Sequence, residues 1–274
     1  MTSQLTTERP RTATTRALRR VRALSAGEMR LLWRNRTAVF TAVGMPAAFV
    51  LLILVVGAGE AAGDGLAAFV VLALVAFVLL FVAYYNLVTA YVARREGLVL
   101  KRLRTTEATD REILLGTAVP AIAVSVTQVL LAVVAAVAFL DLGRPVNPLL
   151  VIVGLLGGLA VFALLAAAST AFTRSVEIAQ ITTLPVVMVS MVFAGLFFPL
   201  DMLPDLAEQA AKLIPLTPVV ELVRLGLTGA TADGTTVGFA ASFGEALVPV
   251  LYLVAWTVLA GHAVRRWFRW EPRT

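Results

Sequence analysis

The chain has no cysteine and a single histidine, His262, among 274 residues. Disulfides, thiol catalysis and metal sites built from cysteine or clustered histidine are thereby excluded, and no metal ligands are assigned. Charge is also scarce. Asp, Glu, Lys and Arg make up 15% of the residues, against roughly a quarter in a soluble domain. Carboxylates are almost missing from the apolar runs, where Glu177 and Glu245 stand only at the ends. Gly-x-x-x-x-Gly-Lys-[Ser/Thr] does not occur, so the chain has no phosphate-binding P-loop, and His-Glu-x-x-His is absent too. No catalytic residue is assigned. What fills the sequence instead is apolar side chain, 59% of the total, which excludes an ordinary soluble domain; with its long apolar runs the chain reads as an all-α membrane protein. The net charge of +6 does not read as nucleic-acid binding, because the basic residues sit in the gaps between apolar runs and form no stripe.

Taken in order, residues 1–24 are polar and rich in Thr and Arg, and read as a disordered cytoplasmic tail. A secretory signal is not expected, since the first apolar run begins near Ala38 and no cleavage pattern follows it. Ser25 and Glu28 have capping-box spacing and predict a helix start. Met29, Leu32 and Trp33 then fall on one face, with Arg30, Arg34 and Arg36 largely off it, which predicts an interfacial helix or, more plainly, a basic flank. Six spans follow, at about 38–56, 66–93, 113–140, 148–172, 178–198 and 246–264, each long enough to cross a bilayer. Pro46 should kink the first. Tyr84, Tyr85 and Tyr91 near the end of the second read either as an aromatic belt or, with Asn86 and Thr89, as the wall of a substrate path. Gln128 in the third span and Ser190 in the fifth join that candidate path. For Gln128 a bond to another helix is the alternative. Gly154, Gly157 and Gly158 allow a close helix approach to the fourth span.

Between spans five and six the pattern breaks. Pro199, Pro204, Pro215 and Pro218 punctuate two short amphipathic pieces, about 205–214 and 219–227, each too short to span. They read as a hairpin that dips into the outer face and returns, with Glu221 and Arg224 at a spacing that permits pairing. Residues 266–274 read as a basic cytoplasmic tail. With both termini inside, 20 of the 23 basic residues lie on the inner side, and only Arg144, Lys212 and Arg224 on the outer. The opposite orientation violates the positive-inside rule.

The stretch from Arg94 to Gly116 is the most distinctive. Read as a helix, it carries Val99, Leu100 and Leu103 on one side and Lys101, Arg102 and Arg104 over much of the rest. Such a segment at the cytoplasmic surface either holds anionic lipid, docks into a soluble partner, or is a solvated loop. Arg95-Glu96-Gly97, then Val99 to Arg104 and Thr106, resembles the cytoplasmic loop of ABC-2 type transporter permeases, most of all bacterial daunorubicin-resistance-like drug and lipid exporters. The family usually has Pro just after the Thr, where this chain has Glu107. Phe198 to Pro204, and then Pro215-Leu-Thr-Pro218, are similar to the family's extracellular helices before its last span.

The resemblance covers about residues 25–265 and implies a transmembrane domain with an elbow helix (Ser25, Glu28, Met29, Leu32, Trp33), a coupling helix and a re-entrant outer hairpin. The coupling helix, Gly97, Leu98, Val99, Leu100, Lys101, Arg102, Leu103, Arg104, Thr106 and Glu107, would sit in a cleft of a separate ATPase subunit, which alone binds ATP and Mg. The chain itself would bind no cofactor. A second permease copy, as homodimer or close heterodimer, is implied, in the bacterial cytoplasmic membrane, moving a hydrophobic or amphipathic drug, lipid or glycolipid outward. The alternatives are an ion-coupled secondary transporter, which usually needs an intramembrane carboxylate, and a non-transporting membrane scaffold.

Overall fold

The computed structural model describes residues 13–55, 65–196, 204–231 and 234–271. These are helical, apart from turns, loops and one antiparallel bridge between Ala230 and Thr236. The helices are α1 (Ala13–Arg34), α2 (Arg36–Val39), a π-helical turn (Phe40–Gly44) running into α3 (Met45–Val55), and α4 (Leu66–Phe77). A second π segment (Val78–Tyr85) carries α4 into α5 (Asn86–Glu96), and α6 (Val99–Arg104) and α7 (Asp110–Phe139) follow. The rest are α8 (Pro148–Ser169), α9 (Val176–Phe193), α10 (Asp205–Lys212), α11 (Thr217–Thr228), α12 (Phe239–Glu245) and α13 (Leu247–Trp267).

Among the described residues, five continuous helical stretches are long and apolar enough to cross a membrane: Leu66–Glu96, α7, α8, α9 and α13. The expected first span falls on α2, the π turn and α3, so it is one helical run of three pieces, with Pro46 at the second position of α3 just past the π turn. Proline has no N–H to donate, and a π turn beside it is one way a helix accommodates that loss.

The 31-residue rod Leu66–Glu96 is the axis of the molecule. It is apolar all round, as a helix surrounded by other helices should be. Val71, Val75, Leu79, Leu80, Tyr84, Leu87 and Val88 are buried along its whole length, packed against α7, α8 and α11. At 1.5 Å per residue it is about 46 Å long, longer than a hydrocarbon core of about 30 Å. One end therefore projects and carries α6. The helices α7, α9 and α13 are peripheral, with only about a fifth of their apolar windows buried in this chain.

Tyr84 and Tyr91 correct the aromatic-belt reading. Both are buried, and each hydroxyl finds a partner on a neighbouring helix: Tyr84 Oη lies 2.9 Å from Ser169 Oγ, and Tyr91 Oη donates to Leu114 O at 3.0 Å.

α11 is the other deeply buried element. It lies between α8, α13 and α4, and glycines set its distance. A Cβ on Gly154 would meet Leu222 and Val223, and one on Gly158 would meet Val219 and Leu79, while Gly157 faces Leu253 of α13. The turn between α7 and α8 locks to its far end, where Asn147 N donates to Gly226 O at 2.9 Å. A Cβ on Gly226 would sit 2.8 Å from Val151 N and 2.9 Å from Asn147 O, both backbone atoms that cannot swing aside. Gly226→Ala is expected to destabilise the fold by roughly 1–3 kcal/mol, the usual cost of overpacking, read as an earlier thermal unfolding midpoint in detergent. A midpoint equal to the parent's would show that α11 slides freely against α8.

Two expectations about α1 change. The helix is already running at Ala13, so residues 13–24 are not a disordered tail, while residues 1–12 lie outside the described part. Ser25 and Glu28 are consequently mid-helix, where the backbone N–H groups are bonded internally and need no cap. Ser25 Oγ instead donates to Gly116 O at 3.2 Å, and Glu28 forms an ion pair with Arg94. The capping box is at the start of α7: Glu112 N donates to Thr109 Oγ1 at 3.3 Å, and Thr109 N to Glu112 Oε2 at 2.9 Å.

Candidate coupling surface and substrate path

The loop that carries α6 is built by sharp, locally specified turns. α5 stops at Gly97, Leu98 takes a left-handed conformation with φ 57°, and α6 starts at Val99. At the other end Thr105 and Thr106 turn their hydroxyls back onto the carbonyls of Arg102 (2.7 Å) and Leu103 (2.6 Å). The chain thus leaves the helix without the family's proline, and Glu107 is exposed in the turn.

Of the apolar side chains predicted on one face, only Leu100 is buried in this chain. Leu98 and Val99 are 41% and 39% exposed and Leu103 is half-buried. Gly97, Lys101, Arg102, Arg104 and Thr106 are exposed around them. A short helix anchored by one leucine, with further apolar side chains facing out among basic ones, is a surface suited to a protein partner.

Three contacts hold this surface in place. The first comes from α1: the Arg20 guanidinium grips Glu112 at the base of α7 (2.8 and 2.9 Å), with Glu107 3.8 Å away, and Leu24 packs on Gly116. The second is the C-terminal segment, read from the sequence as a basic tail. Glu271 pairs with Lys101 at 3.0 Å, and the Trp270 ring lies 4.7 Å from the Arg104 guanidinium carbon. Phe268 meets Tyr91 edge to face.

The third contact was missed by sequence reasoning. Arg95, 1% exposed, donates to Thr170 O (2.7 Å), Thr173 O (2.5 Å) and Arg174 O (3.3 Å). Those carbonyls belong to the C-terminal end of α8 and the turn beyond it, where helical partners run out and the dipole is negative. The turn in turn holds α9, through Thr173 Oγ1 and Thr182 Oγ1 at 2.8 Å. An arginine in the last turn of an apolar helix reads as an interfacial anchor, and nothing in the sequence says which carbonyls it will reach.

The residues assigned to a substrate path divide among separate places. Asn86 and Thr89 line a hollow of about 250 Å³ between α1, α5 and α7, and Thr89 Oγ1 also donates to Tyr85 O at 3.0 Å. Tyr85 opens on a hollow of about 290 Å³ against α9, lined also by Gln180 and Thr183. Gln128 lies on a third, largely apolar hollow of about 570 Å³ between α3, α4 and α7. Ser190 is buried.

On the other face, Pro204 precedes α10, Pro215 is buried, Pro218 lies in the first turn of α11, and Pro199 is outside the described residues. Arg224 does not bond Glu221. Its Nη2 reaches Gly195 O at 2.5 Å and ties α11 to the end of α9. Trp256 of α13 donates to Leu213 O at 2.9 Å and pins α10.

These features define a multi-pass helical membrane protein with a central, projecting helix and an exposed loop helix braced by its neighbours. Residues 19–228 match the family model for ABC-2 type transporters, and the chain belongs to that family. It is the membrane-embedded component of an ABC transporter. Comparison with curated proteins finds no match.

Proposed function

We propose that this chain is the permease half of an exporter that moves a hydrophobic or amphipathic drug, lipid or glycolipid out of a bacterial cell, powered by a separate ATPase subunit. The observation that carries the reading is α6, exposed on its apolar side yet fastened to three other parts of the fold. ATP and Mg belong to the partner. Closure of two partner subunits draws on their differential affinity for nucleotide in the two states. The residues of this chain do the rest. Leu98, Val99 and Leu103 seat α6 in the partner. The rod and α7 flank α6 and tilt with it, and Arg95 conveys the movement to α8 and α9. Two copies face each other, and the lightly buried faces of α7, α9 and α13 are available for the second copy and for lipid. The run from α2 to α3 is the first of six spans. The segment around α10 and α11 is a re-entrant outer gate, and α1 is the elbow helix at the inner surface.

The test is reconstitution of the permease in vesicles with an ABC ATPase. ATP-driven movement of a lipophilic cation or a labelled lipid that needs both chains is expected. Transport driven by an ion gradient without the ATPase would favour a secondary transporter, and no transport with normal assembly would favour a scaffold.

Orientation has its own check, made simple by the lack of native cysteine. A cysteine replacing Arg104 should be shielded from an impermeant maleimide in intact cells, and one replacing Gly234 should react. The reverse pattern would invert the topology.

A further inference from the structure

One hollow has more built into it than a transport path needs. It lies where α1, α5 and α7 meet, and each helix gives it one stripe. From α1 and the residue after it come positions 28, 31, 32 and 35, from α5 positions 86, 87, 89, 90, 93 and 94 with Val82 one turn before, and from α7 positions 117, 120 and 121. Three-, four- and seven-residue spacings put each set on one side of its helix, so the hollow is a product of helix packing and not of a loop. At one end is the Glu28–Arg94 ion pair, with both side chains largely buried. Beyond the pair the wall carries Asn86 and Thr89, then Leu32 and Pro120. The Asn86 carboxamide has no hydrogen-bond partner among the described residues.

We infer that this hollow is a binding site for the headgroup of a zwitterionic inner-leaflet phospholipid, phosphatidylethanolamine in type, held as a resident lipid. A carboxylate and a guanidinium side by side match a ligand that carries both signs. Glu28 takes the ammonium. Arg94 Nη1 donates to Ala90 O at 3.2 Å and Nη2 pairs with Glu28, and the remaining guanidinium N–H groups take the phosphate. An anionic headgroup leaves Glu28 facing like charge, and a purely cationic one does the same to Arg94. Asn86 and Thr89 stand past the pair, where the glycerol esters offer acceptors for a carboxamide N–H. At about 250 Å³ the hollow is smaller than the roughly 300–1,000 Å³ of a site that swallows a whole drug-sized ligand. It takes a headgroup and lets the chains run out along α1, past Leu31, which is exposed. Arg94 adjoins Arg95 and lies just before α6. A lipid in this site therefore braces the root of the coupling loop. The inference rests on the inward orientation that the basic residues imply and not on the exporter reading, so the two fail separately.

The test uses the full-length permease alone, placed in nanodiscs of equal parts phosphatidylethanolamine and phosphatidylglycerol, with retained lipids counted by native mass spectrometry. One phosphatidylethanolamine per protomer should survive activation that strips the rest. Glu28→Gln should lower the preference over phosphatidylglycerol by about tenfold, the worth of one charge-assisted hydrogen bond. Ala90→Phe, which fills the hollow and spares the ion pair, should abolish retention at unchanged thermal stability. If Ala90→Phe does not fold, the ratio in Glu28→Gln against the parent decides alone. Equal retention of both lipids by the parent, or an unchanged ratio in Glu28→Gln, overturns the assignment. ATP-driven translocation of labelled phosphatidylethanolamine in the assembled transporter would make that lipid cargo, and would overturn the resident role.

Discussion

Val99→Asp should leave the permease folded and in the membrane but cut its co-purification with the ATPase by two orders of magnitude or more. Val99 is the first residue of α6, and it is 39% exposed. An aspartate there suits the free chain, since it lies at a helix N-terminus, in water, with Lys101 and Arg102 close by in sequence. In the assembled transporter the same carboxylate would be buried against the partner without a counter-charge. Leaving such a charge unpaired costs about 3–5 kcal/mol, and every 1.4 kcal/mol is about tenfold in affinity. The effect is thus confined to the docked state. Leu103→Asp should also abolish transport, but Leu103 is half-buried within its own chain, so part of its loss would come from the permease itself. Val99 separates the two. Measuring complex yield and permease abundance side by side checks this, and normal yield with full transport would remove α6 from the interface.

Why α6 was legible and its supports were not has a physical answer. A short charged segment between two apolar runs is a local pattern, whereas the left-handed Leu98 and the threonine turn that bound α6 were not read from the sequence. Five of the six expected spans were legible for the same reason, because a long apolar run leaves little choice of environment. Their edges were less so. The third span starts at Asp110 rather than Ile113 because Thr109 and Glu112 cap it, a motif as plain in the sequence as the one at Ser25. Both have capping-box spacing, and only the length of the preceding helix decides which one caps. Residues 13–24 were read as a tail because they are polar, although Arg20 and Leu24 find Glu112 and Gly116 ninety residues away. The tyrosines, the C-terminal segment and Arg95 share this character. Each is a polar or aromatic group whose partner is set by three-dimensional packing. The candidate substrate residues show the limit most clearly: polarity in an apolar helix marked Asn86, Tyr85 and Gln128 alike, yet they open on different hollows.

Arg95→Ala is expected to be the most damaging single change away from the docking surface. The guanidinium spans three backbone carbonyls at the end of α8, and each hydrogen bond from a charged donor contributes roughly 1.5–3 kcal/mol. Removing it leaves buried acceptors without a donor and frees the C-terminal end of α8 and the start of α9 from the root of α6. The exposed face of α6 is not altered, so the ATPase should still bind and hydrolyse ATP. What should fall, at least tenfold, is the amount of substrate moved per ATP. Arg95→Lys keeps the charge, but a single ammonium cannot present the planar fork that reaches Thr170 and Thr173 together. It should restore transport only in part, while Arg95→Gln, polar and uncharged, should resemble alanine. A general loss of folding would instead lower abundance and ATPase binding in all three. The decisive reading is therefore the ratio of transport to hydrolysis at matched complex yield. A normal ratio in Arg95→Ala would mean that α6 moves the rod and α7 alone, and that the turn after α8 follows without being driven.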